Sequence, residues 1–142
     1  MSWLKSMLEK EPPEPENPIG TVVLGAIEGD PHKVPKEMVR KSLKKAGFKC
    51  VDLGNKVPPA AFAKKAKEVN ADIIAVSIST TPAKDNLPKV MEAIEAEGLK
   101  GKVAIMTGGI GVDKDAADEV GIMYGSTREE AVALAKKAME TK

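Results

Sequence analysis

Residues 21–27, TVVLGAI, followed at once by residues 28–32, EGDPH, decide the class of fold that this sequence predicts. An unbroken run of apolar, partly β-branched residues is typical of a strand buried on both faces, as strands are in parallel sheets. The polar residues that come next would leave such a sheet at its carboxyl edge. We therefore expect a central parallel strand that delivers a functional loop.

The rest of the chain alternates between helical and strand patterns. Helices are predicted over residues 35–46, 58–69, 85–97, 113–119 and 127–139, and further strands over residues 48–53, 72–77, 102–106 and 122–124. Gly47 suits a helix end, the pair Pro58 and Pro59 suits a helix start, and Thr127 suits a helix cap. Five βα units predict an α/β fold, a flavodoxin-like (Rossmann-like) five-stranded parallel sheet of order 2-1-3-4-5 with helices on both faces.

The first part of the chain has a different composition from the rest. In residues 11–18, prolines alternate with carboxylates, a pattern that prevents both helix formation and sheet pairing. At 142 residues the chain suits a single domain with one core. We therefore expect a Pro/Glu-rich tail or linker over residues 1–18 and one domain over residues 19–142.

Composition also limits the class of partner. The net charge is only +1, and four aromatic residues provide no stacking surface, so nucleic-acid binding is not expected. No apolar run has the length of a membrane span or a signal segment, so no membrane association is expected. A single cysteine, Cys50, predicts a reducing, cytoplasmic setting.

Basic residues are concentrated on the first predicted helix. They are Lys33, Lys36, Arg40, Lys41, Lys44 and Lys45. We expect them to form a mostly solvated helix face, with docking of an acidic partner as the less favoured interpretation.

The chain's single histidine, His32, stands two residues after Asp30. A carboxylate that accepts one imidazole N–H strengthens the other nitrogen as a metal ligand. One imidazole does not hold a free metal ion, however, and neither a second histidine nor a second cysteine is available. A metal that arrives already bound in a macrocycle is the simpler hypothesis.

Three polar loops are predicted to meet at one edge of the sheet. They follow the first, third and fourth strands as residues 28–32, 77–82 and 107–111. In a sheet of this order, ligands bind outside the carboxyl ends of the strands, beside the switch point between the first and third. The hydroxyl groups and paired glycines of these loops favour a polar ligand that approaches the main chain closely.

The motifs in these loops are Asp30-Pro31-His32, Ser77-Ile78-Ser79 and Gly108-Gly109. In this order and at these separations they resemble the signature of the cobalamin-binding domains of corrinoid methyl-transfer proteins, methionine synthase and the adenosylcobalamin mutases. That signature is Asp-x-His-x-x-Gly, then Ser-x-Leu, then Gly-Gly. The likeness runs from about residue 20 to residue 139.

The resemblance implies cobalamin as the cofactor. His32 matches the lower axial ligand of cobalt, and Asp30 would bond the other imidazole nitrogen. Ser77 matches the serine that contacts the buried nucleotide tail of the cofactor. Gly108 and Gly109 match the place where that tail passes close to the main chain.

Ser79, Thr80 and Thr81 complete the cofactor-binding set that the resemblance implies. The two threonines resemble those of corrinoid methyl carriers more than the loops of mutases. The favoured function is therefore a corrinoid protein that carries a methyl group on cobalt between methyltransferases, which are its expected partners. Such a chain is a cofactor-carrying component rather than a complete enzyme, and no catalytic residue is assigned.

Two other functions stay open. Methyl carriers of the family usually have a helical cap domain before the cobalamin domain, and no such cap is expected from this sequence, which suits the small subunit of an adenosylcobalamin mutase with a large partner subunit. Pro35 stands where the family has glycine and Ser79 where it has leucine, which suits a degenerate domain that no longer binds cobalamin tightly. A homo-oligomer is also open, because an uncovered corrin face would be apolar.

Overall fold

The computed structural model describes residues 10–28 and 34–141. Within them, five parallel strands form one sheet in the order β2-β1-β3-β4-β5, which confirms the predicted order. The strands are β1 (Thr21–Ala26), β2 (Lys49–Asp52), β3 (Ile73–Ser77), β4 (Ala104–Gly108) and β5 (Met123–Tyr124). The order changes direction between β1 and β3, so the switch point lies between these two strands.

The central strands end level with one another at the carboxyl edge. Ala26 of β1 is paired with Ser77 of β3, which is paired in turn with Gly108 of β4. The loops that follow β3 and β4 therefore leave the sheet side by side.

Helices cover both faces of the sheet. In the described residues they are α1 (Val34–Lys45), α2 (Pro59–Val69), α3 (Leu87–Ala96), α4 (Lys114–Glu119) and α5 (Arg128–Glu140). Helices α1 and α5 pack together on one face, and α2, α3 and α4 contribute to the core on the other. This arrangement confirms the predicted fold class.

Side chains of the central strands alternate between the two faces. In β1, Val22 and Leu24 belong to the core under α1 and α5, whereas Val23 belongs to the core under α2 and α3. Helix α5 meets the sheet with small side chains, Ala131, Ala135 and Ala138. Because alanines fill little volume, space is left on the α1/α5 face.

Two elements, α3 and β4, begin two residues later than the sequence predicts, and several other bounds differ from the prediction by one residue. A 3₁₀ turn, Pro82–Asn86, precedes α3, because prolines at 82 and 88 lack the N–H that a continuous helix would use. Strand β4 begins only at Ala104, because the N–H groups of Lys102 and Val103 both donate to Leu99 in a turn.

A capping box sets the start of α5 and confirms the prediction of Thr127 as a helix cap. The Thr127 hydroxyl accepts from the Glu130 N–H at 3.1 Å, and the Glu130 carboxylate accepts from the Thr127 N–H at 3.2 Å. The first turn of α5 is thereby held beside the ends of β4 and β5.

Residues 10–18 contain neither helix nor strand, as their prolines predict. The domain boundary at residue 18 stays a prediction. Across the described residues, no helix combines the length and the apolar character needed to cross a bilayer.

Candidate functional site

A groove of about 780 Å³ opens at the carboxyl edge, between the sheet and helices α1 and α5. Residues from the ends of β1, β3 and β4 form its floor, and residues of α1 and of the first turns of α5 form its walls. Its volume lies in the range of small-molecule and cofactor sites. The groove lies on the face that the alanines of α5 leave underfilled.

The groove is lined largely by apolar side chains. They include Leu24, Ala75 and Met106 from the sheet, Met38 and Val39 from α1, and Ala131 and Leu134 from α5. Such walls remove both faces of a flat ring from water, which favours an aromatic or macrocyclic group over a highly charged one.

Three of the predicted cofactor-binding residues, Ser77, Gly108 and Gly109, line this groove together. Ser79 is buried, and it lies with Thr80 and Thr81 outside the groove lining. Asp30 and His32 lie outside the described residues. The groove thus brings together the first residue of the second motif and both glycines of the third.

The two motif glycines allow loops of the protein itself to touch. A Cβ atom on Gly108 would lie 2.3 Å from the carbonyl oxygen of Gly125, and one on Gly109 would lie 2.0 Å from that of Ile78. The sequence predicts that a ligand occupies the space left by these missing side chains. In the structure, neighbouring main chain occupies it, so the glycines shape the rim of the groove.

Hydrogen bonds hold the same rim together. The Ile78 N–H donates to the Gly108 carbonyl at 2.9 Å, and the Gly111 N–H donates to the Ile78 carbonyl at 3.0 Å. The buried hydroxyl of Thr107 donates to the Val76 carbonyl at 2.8 Å. The exits of β3 and β4 are therefore one bonded unit, which is preorganised for a ligand.

Sequence reasoning missed Lys36 as a residue of the groove. Lys36 lines the groove, is only 3% exposed, and donates to both oxygens of Asp52 at 2.6 and 2.7 Å. The expectation of a solvated basic face is also wrong for Arg40 and Lys44, whose side chains are 15% and 10% exposed. Their spacing places them on one helix face, but the carboxylates that cover them come from distant parts of the chain.

A protein-family model for the B12 binding domain matches residues 20–135. The chain belongs to the B12-binding domain family. Its cofactor is a corrinoid.

Three similar proteins illustrate the relationship. Trimethylamine corrinoid protein 1 of Methanosarcina mazei is 39% identical over 137 residues, which are 96% of this chain and 63% of that protein. The 1.5 Å crystal structure of a novel cobalamin-binding protein from Desulfitobacterium hafniense superimposes with a TM-score of 0.80 at 30% identity. The superposition covers 84% of this chain and 58% of that protein's chain. One chain of the methanol:cobalamin methyltransferase complex MtaBC from Methanosarcina barkeri has the same fold, with a TM-score of 0.82 at 24% identity. The superposition covers 88% of this chain and 48% of that chain.

The chain spans about six-tenths of the length of the curated relatives it matches. The match therefore concerns the B12-binding domain of those relatives and not their whole length.

The groove of this B12-binding domain fits a part of a corrinoid that is flat and largely apolar. Leu24, Ala75 and Leu134 offer apolar contact, and Ser77 offers a hydroxyl at the end of β3. The close glycine contacts keep the rim rigid without bulk. Apolar walls with one or two directed polar groups are typical of cofactor sites.

Proposed function

We propose that this chain carries cobalamin as part of a methyl-transfer system, in which a methyl group is carried on cobalt between two methyltransferases. The observation that carries the proposal is the groove at the switch point, in a chain 39% identical to a trimethylamine corrinoid protein. When bound, the corrin supplies the methyl-transfer chemistry itself. The residues of the chain bind and orient it.

Within this proposal, the groove on the α1/α5 face holds the nucleotide tail of the cofactor. Ser77 contacts the tail through its hydroxyl, and the tail passes the rim formed by Gly108 and Gly109. The apolar lining supports this assignment, because it would desolvate an aromatic base. Contacts from Ser79, Thr80 and Thr81 stay predictions, since these residues lie outside the groove lining.

We further propose His32 as the lower axial ligand of cobalt, with Asp30 bonded to its other nitrogen. The chain on either side of this motif supports the assignment. Ile27 donates to the Ser77 carbonyl at 3.1 Å, at the end of β1, and Lys36 of α1 lines the groove. The described residues that flank the motif in the sequence therefore lie at or near the groove.

The proposed partners are methyltransferases. The name of the M. mazei relative suggests a methylated amine as the source of the methyl group. The MtaBC complex is a precedent for a protein of this fold assembled with a methyltransferase. We therefore favour the methyl carrier over the mutase subunit.

Pro35 is compatible with cofactor binding. It lies in the first turn of α1, where the fixed φ of proline suits a helix and its missing N–H is not needed. This position weakens the argument for a degenerate domain.

Absorbance titration with hydroxocobalamin tests the ligand assignment. We expect the native chain to bind with a change in the cobalt spectrum, and His32→Ala to bind at least roughly tenfold more weakly without that change. Lys49→Ala, at the amino end of β2, is the control and should behave as the native chain. Identical spectra for the native chain and His32→Ala would exclude the histidine as the ligand.

The carrier function needs a separate test. The cobalamin-loaded, reduced chain is mixed with a methylamine methyltransferase and trimethylamine, and cobalt methylation is followed by absorbance. We expect methylation that depends on both additions. A mutase subunit would instead bind adenosylcobalamin only with its large partner, and a degenerate domain would take up no corrinoid.

A further inference from the structure

The proline-rich tail, described from residue 10 to residue 18, is attached to helix α1 by two carboxylates. Glu11 accepts from two nitrogens of the Arg40 guanidinium at 2.6 and 2.7 Å, and from Lys44 at 2.7 Å. Glu14 pairs with Lys44 at 2.9 Å. Glu11 and Glu14 are called the acidic clamp below.

The contacts continue from the clamp into the groove. Arg40 donates to one oxygen of Glu37 at 2.7 Å, and Lys36 donates to the other at 2.9 Å. Lys36 in turn binds Asp52 at the end of β2. A continuous series of charge-assisted hydrogen bonds therefore joins the tail to a side chain that lines the groove.

Asp52 extends the series to the carboxyl edge of the sheet. Its carboxylate accepts from the Gly54 N–H at 2.8 Å, and the Gly54 carbonyl accepts from the Ala26 N–H at 2.9 Å. Ala26 is the last residue of β1, six positions before the proposed ligand His32 in the sequence. The position of α1 and the position of the last residue of β1 thus depend on the same series of hydrogen bonds.

The two sides of the clamp differ in exposure. Arg40 and Lys44 are 15% and 10% exposed, whereas Glu11 and Glu14 are 48% and 73% exposed. Release of the tail would therefore disturb few buried contacts of the tail itself. The cations beneath would exchange these carboxylates for water, and α1 would lose the hydrogen bonds that tie it to residues 11 and 14.

We propose that the acidic clamp controls the cofactor groove by holding α1 in place, so that docking of the tail and retention of the corrinoid favour each other. The proposal rests on the proposed function of the groove. Because the coupling is reciprocal, a bound cofactor strengthens docking of the tail, and anything that moves the tail weakens cofactor binding. The tail is thereby a regulatory element of the site rather than a passive linker.

The test compares the full native chain with the double variant Glu11→Gln, Glu14→Gln, which keeps the side-chain size and removes both charges. Two quantities are measured, the amide hydrogen exchange of residues 34–45 without cofactor and the dissociation constant for hydroxocobalamin. We expect faster exchange in α1 and binding roughly twofold to fivefold weaker. The difference in binding should shrink at high salt, because the clamp carboxylates are exposed.

Glu16→Gln, an exposed carboxylate of the same tail, is the matched control and should leave both quantities unchanged. Unchanged exchange in the double variant would overturn the clamp, and faster exchange with unaltered binding would overturn its control of the groove. If the native chain bound no corrinoid, the proposed function would fail instead, and the exchange measurement would still decide whether the clamp holds α1.

Discussion

At the residue scale, the shape of the groove's rim depends on two glycines, which have no side chain. Gly108 and Gly109 each face a carbonyl oxygen of another loop at a distance that no Cβ atom tolerates. Gly109 also has a φ of +120°, a conformation that residues with a side chain rarely adopt. Both constraints act on the loop that follows β4, so its shape is fixed before any ligand arrives.

We expect Gly109→Ala to destabilise the fold more than Gly101→Ala. Both glycines have positive φ, +120° and +81°, so either alanine would cost roughly 1 kcal/mol or more in backbone strain. Only at Gly109 would the new Cβ also collide with main chain, 2.0 Å from the Ile78 carbonyl oxygen. The measurement is the free energy of unfolding in urea at neutral pH.

Gly101 is a matched control because a Cβ atom there would meet nothing within 4 Å. Equal losses in the two variants would mean that the close approach of the loops carries no energetic weight.

At the element scale, α1 is the helix on which the site depends. It provides a wall of the groove, follows His32 in the sequence, and is covered by the tail through Arg40 and Lys44. Its cations are screened from water by carboxylates from β2 and from residues 11–14. The helix is thus held in place by charges as well as by its apolar face.

Acid should weaken the contact between α1 and the tail. The hydrogen bond from Arg40, and then that from Lys44, lowers the pKa of Glu11 from 4.5 to about 2. A lowered pKa in the folded state stabilises the protein above the unfolded value and loses that effect as the pH falls through the folded value. We expect the native chain to exceed Glu11→Gln in unfolding free energy by less than about 1 kcal/mol at neutral pH, because Glu11 is half exposed.

Urea unfolding at a series of pH values checks this expectation. The difference between the native chain and Glu11→Gln should be constant above about pH 5 and should vanish toward pH 2. Burial raises the pKa of Glu37, but hydrogen bonds and charge attraction from Lys36 and Arg40 together lower it below its ordinary value. The pKa of Glu130 is lowered by hydrogen bonds from Ser126 and Thr127, and both proteins contain Glu37 and Glu130. A difference that grew on acidification would contradict the assignment.

At the scale of the whole molecule, the two faces of the sheet are packed differently. The α2/α3 face is a filled core with large buried side chains such as Phe62, Ile74 and Ile94. The α1/α5 face has alanines from α5 and keeps the groove. Both faces thus have a buried core, and only the α1/α5 face keeps, among the described residues, the groove in which we propose that the corrinoid binds.

Periodicity and capping residues were enough to predict the fold class, the strand order and the Thr127 cap, whereas cobalamin was predicted from the resemblance of three short motifs to a known family. Ser77, Gly108 and Gly109 were predicted beside the site for the same reason. Only the tertiary structure decided that main chain fills the space at the two glycines, that Lys36 lines the groove, and that Glu11 covers Arg40. These contacts join residues far apart in the chain, and their energies depend on burial and distance, which a local pattern does not encode.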